Sequence, residues 1–315
     1  MNKIIKQITL AIFAVTILGT SQKSVASGSF PVSYHNVKVD GLNLFYREAG
    51  NPARPTVVLL HGFPSSSHMY RNLIPKLAAH YHVIAPDYPG FGYSDQPAAA
   101  DFGYTFDHLA AVTDDLLNSL NLGKYSIYVQ DYGSPAGFRL FVKHPERIQA
   151  IITQNGNAYE EGLSPAWADI RAYWKDKSPK NEAKIRGLLT LATTKFQYTA
   201  GYHDPSLVSP DAWTFDQAIL DRPGNQAVQL ALFYDYQNNV AQYDLWHTAL
   251  RKFHPPVLAT WGKNDPFFLP AGAYAFKRDV PGAEIHLLDT GHFALEEDGD
   301  QIADYILKFL HKNVN

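Results

Sequence analysis

Short runs of apolar and β-branched residues recur along this chain, with helix-compatible stretches between them. The runs are Thr56 to Leu60, His82 to Ala85, Tyr125 to Gln130, Ala150 to Thr153, Val257 to Trp261 and Glu284 to Leu288. Strands alternating with helices predict a mostly parallel sheet flanked by helices on both faces, an α/β fold. The opening stretch, Val37 to Glu48, reads as a hairpin turning at Asp40-Gly41. Such sheets bind their ligands at the carboxyl ends of the strands, so the residues just after each run are the ones to inspect.

The pattern breaks between Asn155 and Pro256. About one hundred residues there are dense in Trp and Tyr and carry no clear strand, too many for a loop. They predict a folded insertion, a helical cap over residues 158–251, on a core made of residues 27–157 and 252–315. Its aromatics, among them Tyr159, Trp167, Tyr173, Trp174, Tyr198 and Tyr236, are expected mostly to pack the cap on the core. A few are expected to line an apolar pocket.

Composition narrows the setting. At 315 residues and 46% hydrophobic, the chain can bury one large core, or a core plus a cap. Lys3 and Lys6, an apolar run from Ile8 to Leu18, and small residues at Ser24-Val25-Ala26 read as a cleaved export signal over residues 1–26. The expected location is periplasmic or secreted, with no stable membrane association after cleavage. An uncleaved anchor is the alternative. Cleavage after Ala26 removes Lys3, Lys6 and Lys23 and no acid, taking the formal charge from −3 to −6. No basic stripe invites nucleic acid. The absence of Cys excludes disulfides, thiol chemistry and Cys-ligated metal. Oligomeric state is left open.

The run ending at Gln130 is followed by Asp131-Tyr132-Gly133-Ser134-Pro135-Ala136-Gly137 and then a helix-compatible stretch to Lys143. A tight strand-to-helix turn that exposes its central residue needs a small residue two positions on, and Gly133 meets that need for Asp131. Val129, two positions earlier, is larger than such turns usually carry. In a rival register Ser134 is the nucleophile, with Tyr132 and Ala136 flanking it. A third reading makes Asp131 only a cap for the helix.

After Leu60 comes His61-Gly62-Phe63-Pro64, and after the next run Pro86-Asp87-Tyr88-Pro89-Gly90-Phe91-Gly92-Tyr93-Ser94. With these motifs the chain resembles the α/β-hydrolase superfamily over roughly residues 35 to 312, and within it the epoxide hydrolase and haloalkane dehalogenase branch. The resemblance implies Asp131 as nucleophile, Asp265 as orienting acid in Gly262-Lys263-Asn264-Asp265-Pro266, and His292 as base in Asp289-Thr290-Gly291-His292. It also implies an oxyanion hole from the backbone N–H groups of Phe63 and Tyr132, with Asp87 structural. No cofactor or metal is implied. Some dehalogenases carry the acid one strand earlier, but Gln154-Asn155-Gly156-Asn157 offers none.

A carboxylate nucleophile can displace a leaving group at sp3 carbon, giving an alkyl ester that a His-activated water then hydrolyses. Asp131 must be ionised for this, and the turn amides and helix N-terminus are expected to favour its anion. The resemblance implies cap tyrosines that protonate an opening epoxide. Tyr236, in Tyr234-Asp235-Tyr236-Gln237-Asn238, is the first such candidate and Tyr198 the second. The expected function is a cofactor-independent hydrolase opening epoxides, with a small apolar organic substrate and water as its partners. A haloalkane dehalogenase with the same triad is the alternative. A Ser134-dependent esterase and a non-catalytic binder of small ligands are further ones.

Overall fold

The computed structural model describes residues 30–314. The export signal expected over residues 1–26 lies outside the described residues. Eight strands form one sheet: β1 (Ser33–Val39), β2 (Leu42–Ala49), β3 (Thr56–Leu60), β4 (His82–Pro86), β5 (Tyr125–Gln130), β6 (Ile148–Gln154), β7 (Val257–Gly262) and β8 (Glu284–Leu288). Their order is β1-β2-β4-β3-β5-β6-β7-β8. The hairpin β1–β2 and the pair β2–β4 are antiparallel, and every other pair is parallel. Asp40 and Gly41, both at positive φ, close the hairpin, which is why a Gly is needed there.

Helices follow the strands: α1 (Ile74–Ala78), α2 (Ala99–Phe102), α3 (Phe106–Ser119), α4 (Gly133–Lys143), then α5 (Ala168–Lys175), α6 (Pro179–Gly187), α7 (Leu191–Thr199), α8 (Pro210–Leu220) and α9 (Asn225–Phe253), and finally α10 (Pro270–Asp279) and α11 (Leu295–Asn313). The central strands are buried on both faces, so their period-two alternation supplies two cores instead of a wet and a dry side. On β3, Val58 and Leu60 pack with Phe106 of α3 and Phe138 of α4, while Val57 and Leu59 pack with Leu77 of α1 and Ile306 of α11. The whole of the stretch between β6 and β7 is helical or irregular, α5 to α9 with short 3-10 turns. Its longest helix, α9, touches α4, α5, α6 and α10 and so ties this stretch to the sheet's flanking layer. No helix among the described residues is long and apolar enough to cross a membrane.

Candidate active site

Asp131 sits where β5 gives way to α4, at φ +47°. A non-glycine residue there is strained, and the surroundings hold it. A Cβ on Gly133 would come within 2.0 Å of the Leu60 carbonyl oxygen, and one on Gly62 within 2.3 Å of Asp131 Cβ. Both glycines are therefore required for β3 and α4 to close on the turn. Val129 is accommodated by a second device: its Cγ1 occupies the space a Cβ on Gly137 would need, at 2.5 Å. Ser134 is fully buried and donates its hydroxyl to the Asn157 carbonyl, 2.9 Å away, which leaves it no role as nucleophile in this geometry.

One carboxylate oxygen of Asp131 is pinned. Oδ1 accepts the backbone N–H of Phe63 at 2.8 Å and of Tyr132 at 2.5 Å, so the two amides assigned to an oxyanion hole converge on one atom. Oδ2 is left facing His292, whose Nε2 is 3.8 Å away. His292 Nδ1 donates to Asp265 Oδ2 at 2.7 Å. All three side chains are buried. Asp131, Asp265 and His292, 161 positions apart at the extremes of the chain order, are thus brought together in the expected sequence of contacts.

The acid is itself held. Asn155, at the end of β6 and at φ +46°, donates its side-chain amide to Asp265 Oδ2 at 2.8 Å and to the Gly262 carbonyl, while its Oδ1 accepts the Gly262 N–H. The Phe267 N–H supplies the other carboxylate oxygen at 2.7 Å. Gln154 donates to the His292 carbonyl at 2.9 Å and fixes the loop carrying His292. The segment that lacked an acid in the sequence is therefore what orients the acid supplied by β7.

Burial governs the electrostatics. It pushes the Asp131 carboxyl up to about 6, against the opposing pull of His292 and the Phe63 and Tyr132 amides, with Asp265 adding to the rise. The turn amides favour the anion as expected, and desolvation opposes them with the larger effect. Burial pulls His292 down, but the adjoining Asp265, by charge and hydrogen bond, and then Asp131 raise it above its ordinary value.

Above Asp131 lies a cavity of about 50 Å³. Phe63, Tyr132, Trp167, Phe233, Phe267 and Phe268 give it aromatic walls, and Thr193 and Gln197 of α7 add the polar groups opposite the triad. Gln197, which the sequence reading did not single out, is 5% exposed. The indole N–H of Trp167 is committed to the Phe267 carbonyl at 3.1 Å. Around that contact the stretch leading into α5 is laced to the loop after β7. Ser164 bonds the Phe267 and Pro266 carbonyls through its N–H and its hydroxyl, and Leu269 N–H bonds the Gly162 carbonyl.

The two tyrosine candidates fare differently. Tyr236 lies one ring behind the wall, 4.5 Å from the Trp167 ring and 6.0 Å from the Tyr132 ring, measured between centroids. Its hydroxyl is close to that of Tyr243 but outside good hydrogen-bond geometry, and the Tyr132 hydroxyl is likewise buried and unpartnered. Burial pushes both phenols well above their usual range, and the Asp131 charge acts in the same direction, so both keep their protons. Tyr198 is not brought to the cavity. Its hydroxyl donates to Asp216 at 2.5 Å and its ring stacks on Phe293, because α7 turns that side toward α8. Asp87 is structural as expected, accepting the N–H groups of Ser67 and Tyr93.

Comparisons with known proteins identify the family. A family model described as the alpha/beta hydrolase fold matches residues 55–299. An uncharacterized hydrolase of Saccharomyces cerevisiae, YNR064C, is 44% identical over 286 residues, covering 89% of this chain and 98% of that one. A haloalkane dehalogenase of Mycobacterium marinum is 30% identical, over 89% of this chain and 94% of its own length. The solved structure of the epoxide hydrolase CorEH superposes with a TM-score of 0.70 at 23% identity, covering 90% and 99% of the two chains, a likeness of fold. With the elbow, the sheet order and these relatives in agreement, the chain belongs to the α/β-hydrolase superfamily, in its haloalkane dehalogenase and epoxide hydrolase branch.

Proposed function

We propose that this hydrolase opens epoxides through an alkyl ester on Asp131. The observation that carries the reading is the division of labour between the two Asp131 oxygens: Oδ1 is held by two amides while Oδ2 faces the base and the cavity. Oδ2 attacks a ring carbon of the epoxide, the carbon–oxygen bond breaks, and the departing oxygen takes a proton from a tyrosine. Two buried, protonated and unpartnered hydroxyls are available for that step, Tyr132 in the wall and Tyr236 behind it. His292 then removes a proton from water, whose oxygen attacks Asp131 Cγ. The ester carbonyl is Oδ1, so the developing negative charge forms where two N–H groups already point, a preorganisation worth several kcal/mol. Collapse of this intermediate expels the diol oxygen, which takes the proton from His292. The carboxyl proton left on Asp131 returns to the tyrosine, and the cycle closes with one water consumed.

Alkoxides leave poorly without a proton, whereas halide needs only hydrogen-bond donors. The wall offers the Tyr132 hydroxyl, with that of Tyr236 behind it, but no free indole N–H, since Trp167 is already bonded and Trp174, next to it, donates to the Phe233 carbonyl. That favours the epoxide. The second reading, a haloalkane dehalogenase acting through the same triad, is supported by the 30% identical relative of that description. Parallel assays with styrene oxide, 1,2-dibromoethane and p-nitrophenyl acetate separate these chemistries. Diol from the first, abolished by Asp131→Asn and lowered by about a hundredfold in Tyr132→Phe/Tyr236→Phe, supports the proposal. Halide release from the second at full rate in that double variant refutes the tyrosine step and selects dehalogenation. Turnover of the third alone, lost in Ser134→Ala, refutes the carboxylate nucleophile.

A further inference from the structure

His292 has, besides Asp131 and Asp265, a third polar side-chain neighbour that the mechanism above leaves unused. Gln130, the last residue of β5, is fully buried, and its Nε2 lies 3.0 Å from His292 Nε2. Its Oε1 has no hydrogen-bond partner. The amide is confined, since a Cβ on Gly62 would come within 2.3 Å of that same oxygen. Gln130 is thus wedged between the base and the loop that leads to the Phe63 amide.

An amide nitrogen only donates, so its contact with His292 Nε2 requires a lone pair there. That is the neutral ring with its proton on Nδ1, facing Asp265, and its single Nε2 lone pair passes from the amide to water as the second half-reaction begins. Once Nε2 takes the proton from water it becomes a donor, and an N–H then confronts the Gln130 amide N–H. A half-turn about the terminal torsion of the Gln130 side chain, a soft and roughly two-fold rotation, exchanges nitrogen for oxygen. The orphaned Oε1 then gains a charge-assisted hydrogen bond from the imidazolium, of the stronger kind.

We infer that Gln130 is a positioning residue whose amide turns over between the two half-reactions, donating to neutral His292 while the ester forms and accepting from the imidazolium while the ester is hydrolysed. It rests on the reading that His292 activates water against an ester on Asp131. An interaction made only as charge develops on the base lowers the barrier of that step and not of the first. The proton balance is unchanged: it passes from water to Nε2 and from Nε2 to the departing alcohol oxygen, while the amide turns out and back.

The test follows the two half-reactions separately, using single turnovers of styrene oxide, rapid quench and intact-mass detection of the ester. Gln130→Met keeps the bulk and removes both hydrogen-bonding roles. Ester decay is expected to slow by about twentyfold or more while ester formation stays within about threefold, so that ester accumulates and kcat and KM fall together. Gln130→Glu keeps the shape and places a carboxylate beside His292, where Asp265 and Asp131 already lie. It holds the imidazolium, and the acid limb of the decay rate is expected to move up by about one pH unit or more. Unchanged decay in Gln130→Met, equal slowing of both steps, or an unmoved acid limb in Gln130→Glu overturns the inference. Should Gln130→Met not fold, the isosteric Glu variant decides by its pH profile. Failure of the underlying reading looks different, because His292→Gln would then trap no ester from the same probe. In that case an NMR titration of the His292 ring in Gln130→Glu against the unaltered protein still reads the contact, and an unshifted midpoint overturns it.

Discussion

Replacing Asp131 by Asn isolates what the fold spends to keep a carboxylate in a buried turn. The ordinary carboxyl value of 3.8 is pushed to about 6 in the folded protein, chiefly by burial. Each tenfold change in proton affinity corresponds to about 1.4 kcal/mol, so the ionised folded state is destabilised by about 3 kcal/mol through this one group. The unfolded chain releases the proton near pH 3.8 and the folded protein holds it until about pH 6. Between those values the folded state binds more protons, so this contribution to stability falls as pH rises across the window and stays low above it. An Asn at 131 accepts the Phe63 and Tyr132 amides through its Oδ1 and never ionises. Asp131→Asn is therefore expected to match the parent protein near pH 4 and to exceed it at pH 7.5. The ceiling is about 3 kcal/mol, because His292 loses one of the two carboxylates that support its charge. Urea unfolding followed by Trp fluorescence at a series of pH values measures the gap directly. A gap independent of pH, or a parent protein more stable than the variant at pH 7.5, would refute the reasoning. The same titration should appear in the chemistry, with the rate of ester formation declining as pH drops through about 6.

Gly133→Ala should destabilise by at least about 3 kcal/mol or prevent folding, since its methyl would overlap the Leu60 carbonyl, and a melting curve checks it. Asn155→Leu removes the amide that holds Asp265; turnover should fall by about ten- to a hundredfold with the fold retained, and steady-state kinetics with circular dichroism would register both. In an exporting host, the protein recovered outside the cytoplasm should begin at Ser27, which N-terminal sequencing reads; recovery of full-length chain in the membrane fraction instead refutes cleavage after Ala26.

The strands were legible because each carries its own burial signal. Thr56–Leu60, Tyr125–Gln130 and Glu284–Leu288 have the boundaries that the apolar runs predict, the strands β4, β6 and β7 differ by one or two residues at an end, and the hairpin starts four residues before Val37, at Ser33. The grouping of Asp131, Asp265 and His292 was legible for a related reason: each follows a strand, and the sheet order sets β5, β7 and β8 within four consecutive strands, with only β6 between the first two. The cap was not legible at the same depth. Tyr198 and Gln197 are neighbours on α7, yet one turns to Asp216 and the other to the cavity, and no local pattern says which. That choice depends on how a helix of mixed aromatic and polar residues seats on a distant part of the chain. Asn155 was missed because an amide carries no reactive signature; its importance comes from the carboxylate that β7 places within reach of it.

The lacing of residues 162–167 to the loop after β7 limits how the molecule can breathe. Four hydrogen bonds, from Ser164, Trp167 and Leu269, would have to break together for the helical stretch between β6 and β7 to part from the sheet at that border, at about 1 kcal/mol apiece before any apolar surface is wetted. The same loop carries Asp265, so parting there would also release the carboxylate that orients His292, and the border and the Asp265–His292 contact hold or fail together.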